Sequence, residues 1–321
     1  MYSQRYLLRK RPRVVLVRDS KGEVIGGDPH YFIRELPWLV VSTNKLISML
    51  LQGDVEESLF SRIFKDYSNR VFEIEYNLLD VLNYNVYFKK YASIIKTALE
   101  TTIGTILKVE KQRSRLSEKV LNSIMEYANR ELCITASLLL LVLSKVEYNL
   151  KEISERIKSV EEQLKEVVLL ININSTMAIY YRRMEDQLAR ELEALQSDNE
   201  LLSSVYEELL LMKYPLIPLV EELKKIKLEE ELLRARHVIG EIEESKYDEE
   251  MKKVTENIKI GMKRIEEHID KNMDKMGELE VMLLELREAG ILTEENFALL
   301  RGITTKSKKY LQGIRNLLKS V

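Results

Sequence analysis

Apolar residues at Val146, Leu150, Ile153, Ile157, Val160, Leu164, Val167 and Ile171 alternate steps of four and three. That spacing puts one stripe along one side of a helix and predicts a coiled-coil seam. A second series, Met251, Val254, Ile258, Met262, Ile265, Ile269, Met273, Met276, Leu279, Leu283 and Leu286, repeats it further on, and its methionines read as ordinary packing. Residues 105–214 contain neither Gly nor Pro, so helices are expected to dominate there. The polar run Asn172, Asn174, Ser175 and Thr176 predicts a turn that folds the helices into hairpins, and Ser197 with Glu200 three places later matches a capping box and predicts a fresh helix start. Pro215 and Pro218 predict a domain boundary. Residues 13–42 are the only β-like part, where the short runs 14–17 and 23–27 flank a polar turn ending in Gly22 and predict a β-hairpin. A third short run, Leu39 to Ser42, is expected as a further strand, with Trp38 sealing the junction to the helices. The fold class is therefore mainly α: long helices and helical hairpins with coiled coil, and a small N-terminal β-hairpin. Three domains are expected: a basic leader with the hairpin over 1–42, a helical domain with a coiled-coil seam over 43–214, and a coiled coil with a C-terminal helical hairpin and basic tail over 215–321.

A local motif recurs. Gly53, Gly240 and Gly290 each follow an apolar helical pattern, each is followed two places later by an aliphatic residue (Val55, Ile242, Leu292), and each leads through acidic residues to an aromatic (Phe60, Tyr247, Phe297). A glycine there suits the left-handed residue that ends a helix, the aliphatic folds back on the last turn, and the acids favour the start of the next helix. The pattern predicts helix-hairpin corners pinned by the three aromatics, and its acids lack the ligand spacing of a calcium loop.

The stretch from Leu284 through Gly290, Thr293 and Glu294 to Phe297 resembles the short C-terminal helical module. The longer stretch from Leu219 through Arg236, His237, Gly240, Glu243 and Tyr247 to Leu286 resembles the coiled-coil region of the archaeal cell-division A protein of the ESCRT-linked Cdv system. The turn Asp19, Ser20, Lys21, Gly22 with Val24, Ile25 and Gly26 is similar to the opening of that family's N-terminal β-barrel, although the β-like pattern stops near Ser42. The resemblance implies polymerisation, association with DNA or membrane, and an ESCRT-III-like protein as partner in cell division or membrane remodelling.

Composition changes the picture mainly by exclusion. With 11 Gly and 5 Pro in 321 residues, and 32% charged against 45% apolar, the punctuation of a catalytic α/β fold is missing. Cys133 is the sole cysteine, the histidines His30, His237 and His268 have no tight ligand spacing, and no Gly-rich phosphate loop occurs. A non-enzymatic chain with no cofactor, no metal and no small-molecule substrate is expected. The apolar run 134–143 is about half the ~20 residues that span a bilayer, and no export signal is read at the N-terminus. A cytoplasmic location is expected, at most peripheral to membrane or nucleoid, and the Glu, Lys and Ile usage is that of heat-adapted proteins.

Charge is segregated. Arg5, Arg9, Lys10, Arg11 and Arg13 lie in 1–13 and Arg301, Lys306, Lys308, Lys309, Arg315 and Lys319 in 301–321, with no acid in either, leaving 39 basic and 52 acidic residues in between, a net −13. These basic ends are candidate anion-binding groups, with Tyr2 and Tyr6 interleaved for stacking or an interface. The aromatics Tyr76, Tyr84, Tyr87, Phe88 and Tyr91 read as core packing. The expectation is a coiled-coil scaffold that self-associates, as dimer or polymer, through the two seams and binds an anionic surface or a protein partner. The alternative is a nucleic-acid or ribonucleoprotein factor that grips DNA or RNA phosphates with its basic termini.

Overall fold

A computed structural model describes residues 17–18, 24–26, 29–81, 88–173, 177–210 and 212–319, with only the backbone described at 17–18, 24–26, 29–34, 37, 73, 75–81 and 88–92. The protein is mainly α. Eight helices are found among the described residues: α1 (Pro29–Gln52), α2 (Glu57–Val81), α3 (Phe88–Lys111), α4 (Glu118–Ile173), α5 (Ala178–Leu209), α6 (Ile217–Val238), α7 (Glu244–Glu288) and α8 (Glu294–Lys319). The β-hairpin expected at the N-terminus falls mostly outside the described residues, and Val17–Arg18 opposite Val24–Gly26 is all that is described of it. The aromatics Tyr76, Tyr84, Tyr87, Phe88 and Tyr91 have side chains outside the described set.

The third strand expected at Leu39–Ser42 is instead helix, because α1 begins at Pro29 and continues through Pro37. Leu36, Leu39, Val40, Thr43, Ile47 and Leu50 are buried at three-four spacing, and burying that stripe outweighs the few tenths of a kcal/mol by which β-branched residues disfavour a helix. Trp38 lies on the opposite side, half exposed and tilted against Tyr67, so it does not seal a junction. The fresh start expected at Ser197–Glu200 is also absent, since α5 runs through it. In contrast, α3 and α4 are separated by a turn with neither Gly nor Pro, a 3-10 helix at Arg113–Arg115. There Ser117 donates its backbone N–H (2.8 Å) and hydroxyl (2.5 Å) to the Glu57 carboxylate, which joins the start of α4 to the start of α2.

The chain divides into two compact units, Met1–Leu209 with Ala289–Leu300, and Leu210–Glu288 with Arg301–Val321. The first turns of α8 thus group with the first unit and the rest with the second. In the first unit the corner after Gly290 is held on α4 by Asn129, which donates to the Ile291 carbonyl (2.9 Å), while Asn296 donates to the Asn129 carbonyl (2.7 Å). In the second unit the buried Asn272 of α7 accepts from the backbone N–H groups of Lys213 (3.1 Å) and Tyr214 (3.0 Å) and donates to the Tyr214 carbonyl (2.7 Å). This clamp fixes the proline segment ahead of α6. Leu233, Ile242 and Val254 then pack between α6 and α7.

Gly53, Gly240 and Gly290 have φ of +83°, +76° and +69°. At Gly53 and Gly240 the two hydrogen bonds of a left-handed helix end are formed, Asp54 to Met49 and Gly53 to Leu50, and Glu241 to Arg236 and Gly240 to His237. Phe60 and Phe297 are buried, and Tyr247 stacks on His237 at 4.1 Å and 13°. A Cβ at Gly240, or at the helical Gly277, would meet nothing within 4 Å. Gly240→Ala is therefore expected to destabilise the second unit by roughly 1 kcal/mol through backbone strain alone, while Gly277→Ala stabilises it by up to about 1 kcal/mol; paired urea titrations check the opposite signs. Asn272→Ala, which strands two backbone donors, is expected to cost about 2 kcal/mol in the same titration.

Candidate functional site

The features that can meet a partner follow from how α4 changes along its length. Over its first half α4 buries two or more residues per turn, including Leu132, Thr135, Ala136, Leu138, Leu139, Val142 and Leu143. Beyond that point its buried residues are Val146, Ile153, Val160 and Val167, one every seven. A helix packed on several neighbours buries a broad face, whereas one paired with a single partner buries a narrow seam. The partner is α5: Ile153, Val160 and Leu195 form one cluster, with Ile157, Leu164, Leu188, Leu192 and Leu202 against it. Across the pair Arg156 donates through Nε (2.9 Å) and Nη2 (2.7 Å) to Glu191, and Tyr206 donates to Glu147 (2.5 Å). These contacts fix an antiparallel register. From Val146 to Ile173 the arm so formed is about 40 Å long at 1.5 Å per residue.

The first seam is thus occupied within the chain. Val146, Ile153, Val160 and Val167 are buried, Leu150, Ile157 and Leu164 half-buried. In the second seam Ile265 and Ile269 are buried, and Ile258 packs on Leu233, Ile242 and Val254. A second copy would reach either stripe only after helices of the same chain had parted.

Apolar side chains are left uncovered at the far end of the arm. Leu169, Ile173, Ile179 and Tyr180 are 60%, 80%, 75% and 57% exposed, and Val168, Leu170 and Met177 are exposed as well. Residues 167–181 include no charged side chain, in a chain that is 32% charged. Tyr180 and Tyr181 meet edge to face at 5.9 Å, and exposed Arg182 and Arg183 follow, neither with an ion-pair partner among the described residues.

The predicted basic sites fare differently. Arg5, Arg9, Lys10, Arg11 and Arg13, with Tyr2 and Tyr6, lie outside the described residues. The basic C-terminus is the helix α8, and two of its cations are engaged: Lys308 pairs with Glu280 of α7 at 2.5 Å and Arg315 with Asp270. Lys306 is half-buried, whereas Lys309 and Lys319 are exposed.

Inside the first unit, α3 and α4 enclose Glu131, fully buried, with neither carboxylate oxygen in a hydrogen bond of ordinary geometry. Burial pushes its pKa up to about 7, against the smaller opposing pull of the neighbouring Tyr127 and Thr102 hydroxyls. Nearby, α2 and α4 flank an open cleft of about 360 Å³ lined by Phe60, Phe64, Phe72, Tyr127 and Arg130, the guanidinium of Arg130 lying 4.0 Å over the Phe72 ring. Cys133 is half-buried, and burial, then the Glu295 carboxylate, raise its thiol pKa, which disfavours the reactive thiolate. Among the described residues no group of three His, Cys, Asp or Glu could hold a metal ion, and no helix is long and apolar enough to cross a membrane.

No family model, curated protein or solved structure matches the chain.

Sequence reasoning missed the uncovered end and the buried carboxyl. The uncharged run 167–181 was a signal for the first; nothing in the sequence around Glu131 marks it apart from other acids on amphipathic helices. Because the folded state holds the Glu131 proton up to about pH 7 and the unfolded chain releases it near the ordinary carboxyl value of 4.5, stability falls as pH rises between those values and levels off above. Glu131→Gln is expected to flatten that slope and to stabilise the protein at pH 8 relative to pH 5, by an amount on the order of 3 kcal/mol, read from denaturation at both pH values.

Proposed function

We propose that this chain is a non-enzymatic helical scaffold that presents a binding surface at the end of a two-helix arm. The observation that supports it best is the burial of one residue in seven along α4 beyond Val146. Such an arm adds no core to the bundle it leaves, and its conformational entropy cost is offset only by its own seam. Its contribution is reach.

Self-association belongs to this reading, with a difference from the sequence expectation: since both stripes are covered in the chain, copies would meet through other surfaces. Binding to an anionic surface or a protein partner is likewise proposed. A role in archaeal cell division or membrane remodelling, an ESCRT-III-like partner and a cytoplasmic site of action rest on the resemblance of 219–286 and of the stretch around Gly22, and are proposed on that ground alone. The nucleic-acid alternative loses support from α8, where Lys308 and Arg315 already face carboxylates.

Light scattering with sedimentation of the full chain, across concentration and salt and with duplex DNA, structured RNA and anionic vesicles, tests the reading. Homotypic assemblies, or a stable complex with vesicles, are expected. A compact monomer indifferent to concentration and to all three additions would overturn it, as would a salt-sensitive one-to-one complex with nucleic acid alone.

A further inference from the structure

We infer that the outer face of α6 is a self-association surface, on which the α6 of a second copy lies antiparallel. This deepens the scaffold reading by naming where copies meet, and it rests on that reading only for the expectation that they do.

The first observation is that α6 carries two apolar stripes. Ile226 and Leu233 pack with Ile242, Val254 and Ile258, and His237 stacks on Tyr247, so this side faces α7. Leu223 belongs to the same side, its Cδ1 standing 3.3 Å from the place a Cβ on Gly261 would take. At about 100° per residue, Leu228, Leu232, Ala235 and Ile239 point the opposite way. All four are exposed, the three larger ones by more than half, as is the neighbouring Val238. Ile239 follows the last residue of α6, yet its N–H donates to the Ala235 carbonyl (3.1 Å), so the stripe continues through it. Its four-three-four spacing is that of a coiled-coil seam. The seams of α4 and α7 are covered within the chain, whereas this one is open.

Charge selects the direction of the occupant. Continued back toward the start of α6, the same spacing reaches Lys225 and then Glu221. In a parallel pair each of these would meet its own counterpart across the seam, like charge against like. In an antiparallel pair Leu228 lies opposite Ile239 of the second copy and Leu232 opposite its Ala235, a large residue against a small one. Glu229 then comes beside Arg236 of the second copy. Lys224 and Lys225 run alongside the second copy's corner, with Glu241, Glu243 and Glu244. All of these charged side chains are exposed. A two-fold axis makes every such contact twice, as a self-complementary surface requires. The in-chain pairs of Lys224 with Glu221 and Arg236 with Glu241 lie on the surface and are weak enough to exchange.

An anionic bilayer is the weaker occupant, because the exposed Glu229 and Glu231 border the stripe and repel acidic headgroups. The size of the contact sets its strength. From Lys224 to Glu244 the overlap is about 30 Å long and one helix, about 10–12 Å, wide. That is roughly 350 Å² in projection, under the ~800 Å² per partner of a stable complex. The dimer is therefore reversible, with a Kd on the order of 100 µM.

The test is analytical ultracentrifugation of the full chain from about 1 µM to about 1 mM, with circular dichroism as the check that each variant is folded. The wild type is expected to pass reversibly from monomer to dimer. Leu232→Asp, at an exposed position in the middle of the stripe, should weaken dimerisation at least about tenfold. Glu229→Arg alone and Arg236→Glu alone should each weaken it severalfold. An equimolar mixture of the two single variants, or the double variant carrying both changes, should recover the wild-type Kd to within about twofold, a rescue that loss of local structure would not give. A wild type that stays monomeric throughout would overturn the proposal, as would dimerisation undiminished by Leu232→Asp. Single variants weakened with no recovery in the double variant would overturn the antiparallel arrangement. If homotypic assembly persists in Leu232→Asp, this surface is excluded and the scaffold reading stands; a monomer that also ignores DNA, RNA and vesicles ends both.

Discussion

Gly53, Gly240 and Gly290 reverse the chain in a backbone conformation that side-chain-bearing residues resist, and what covers the apolar stripes follows from such reversals. A helix that ends in a short corner delivers the next helix at a local concentration in the millimolar range or above. A second copy of the chain at ordinary protein concentration competes poorly with that. The seams of α4 and α7, which by their spacing alone would suit a dimer, are instead closed by the helices that follow or precede them. At the α6–α7 seam the Gly240 corner thus favours a molecule that folds on itself over one that zips to its neighbours.

Register along the closed seams is set by polar groups more than by the aliphatic ones. Leucines and isoleucines at three-four spacing tolerate sliding by a heptad, but Asn272 against the backbone of Lys213 and Tyr214, and Asn129 against Ile291 and Asn296, each fit in one place. The buried Thr105 hydroxyl facing Asn44 does the same between α1 and α3. Glu131 fixes no register in this way, since its oxygens lack partners of ordinary geometry and burial is the largest influence on its proton.

Much of the helical architecture was legible in the sequence because it depends on short-range signals. The three-four stripes, the glycine corners and the reversal near Asn172 need only neighbours a few positions apart. Errors arose where a local signal met a stronger distant one. Val40 and Val41 look like strand, yet Val40 is buried in α1. Ser197 and Glu200 make a capping pattern that a continuous α5 overrides because Leu195 and Leu202 on either side share one seam. The break between α3 and α4 was hidden because its cap comes from Glu57, sixty positions away. Whether a stripe faces its own chain or another, and whether a cation such as Lys308 or Arg315 stays open to a phosphate, depends on pairing between helices. One-dimensional spacing does not carry that information.

The seven-residue rhythm of Val146, Ile153, Val160 and Val167 also limits how this molecule's reach can evolve. Removing or inserting a few residues in one helix of the pair rotates every position beyond the change off the shared stripe. Only a whole heptad, matched by a heptad in the opposing helix, preserves the pairing. The length of the arm is thus quantised in steps of roughly 10 Å, each requiring two coordinated changes on either side of the turn.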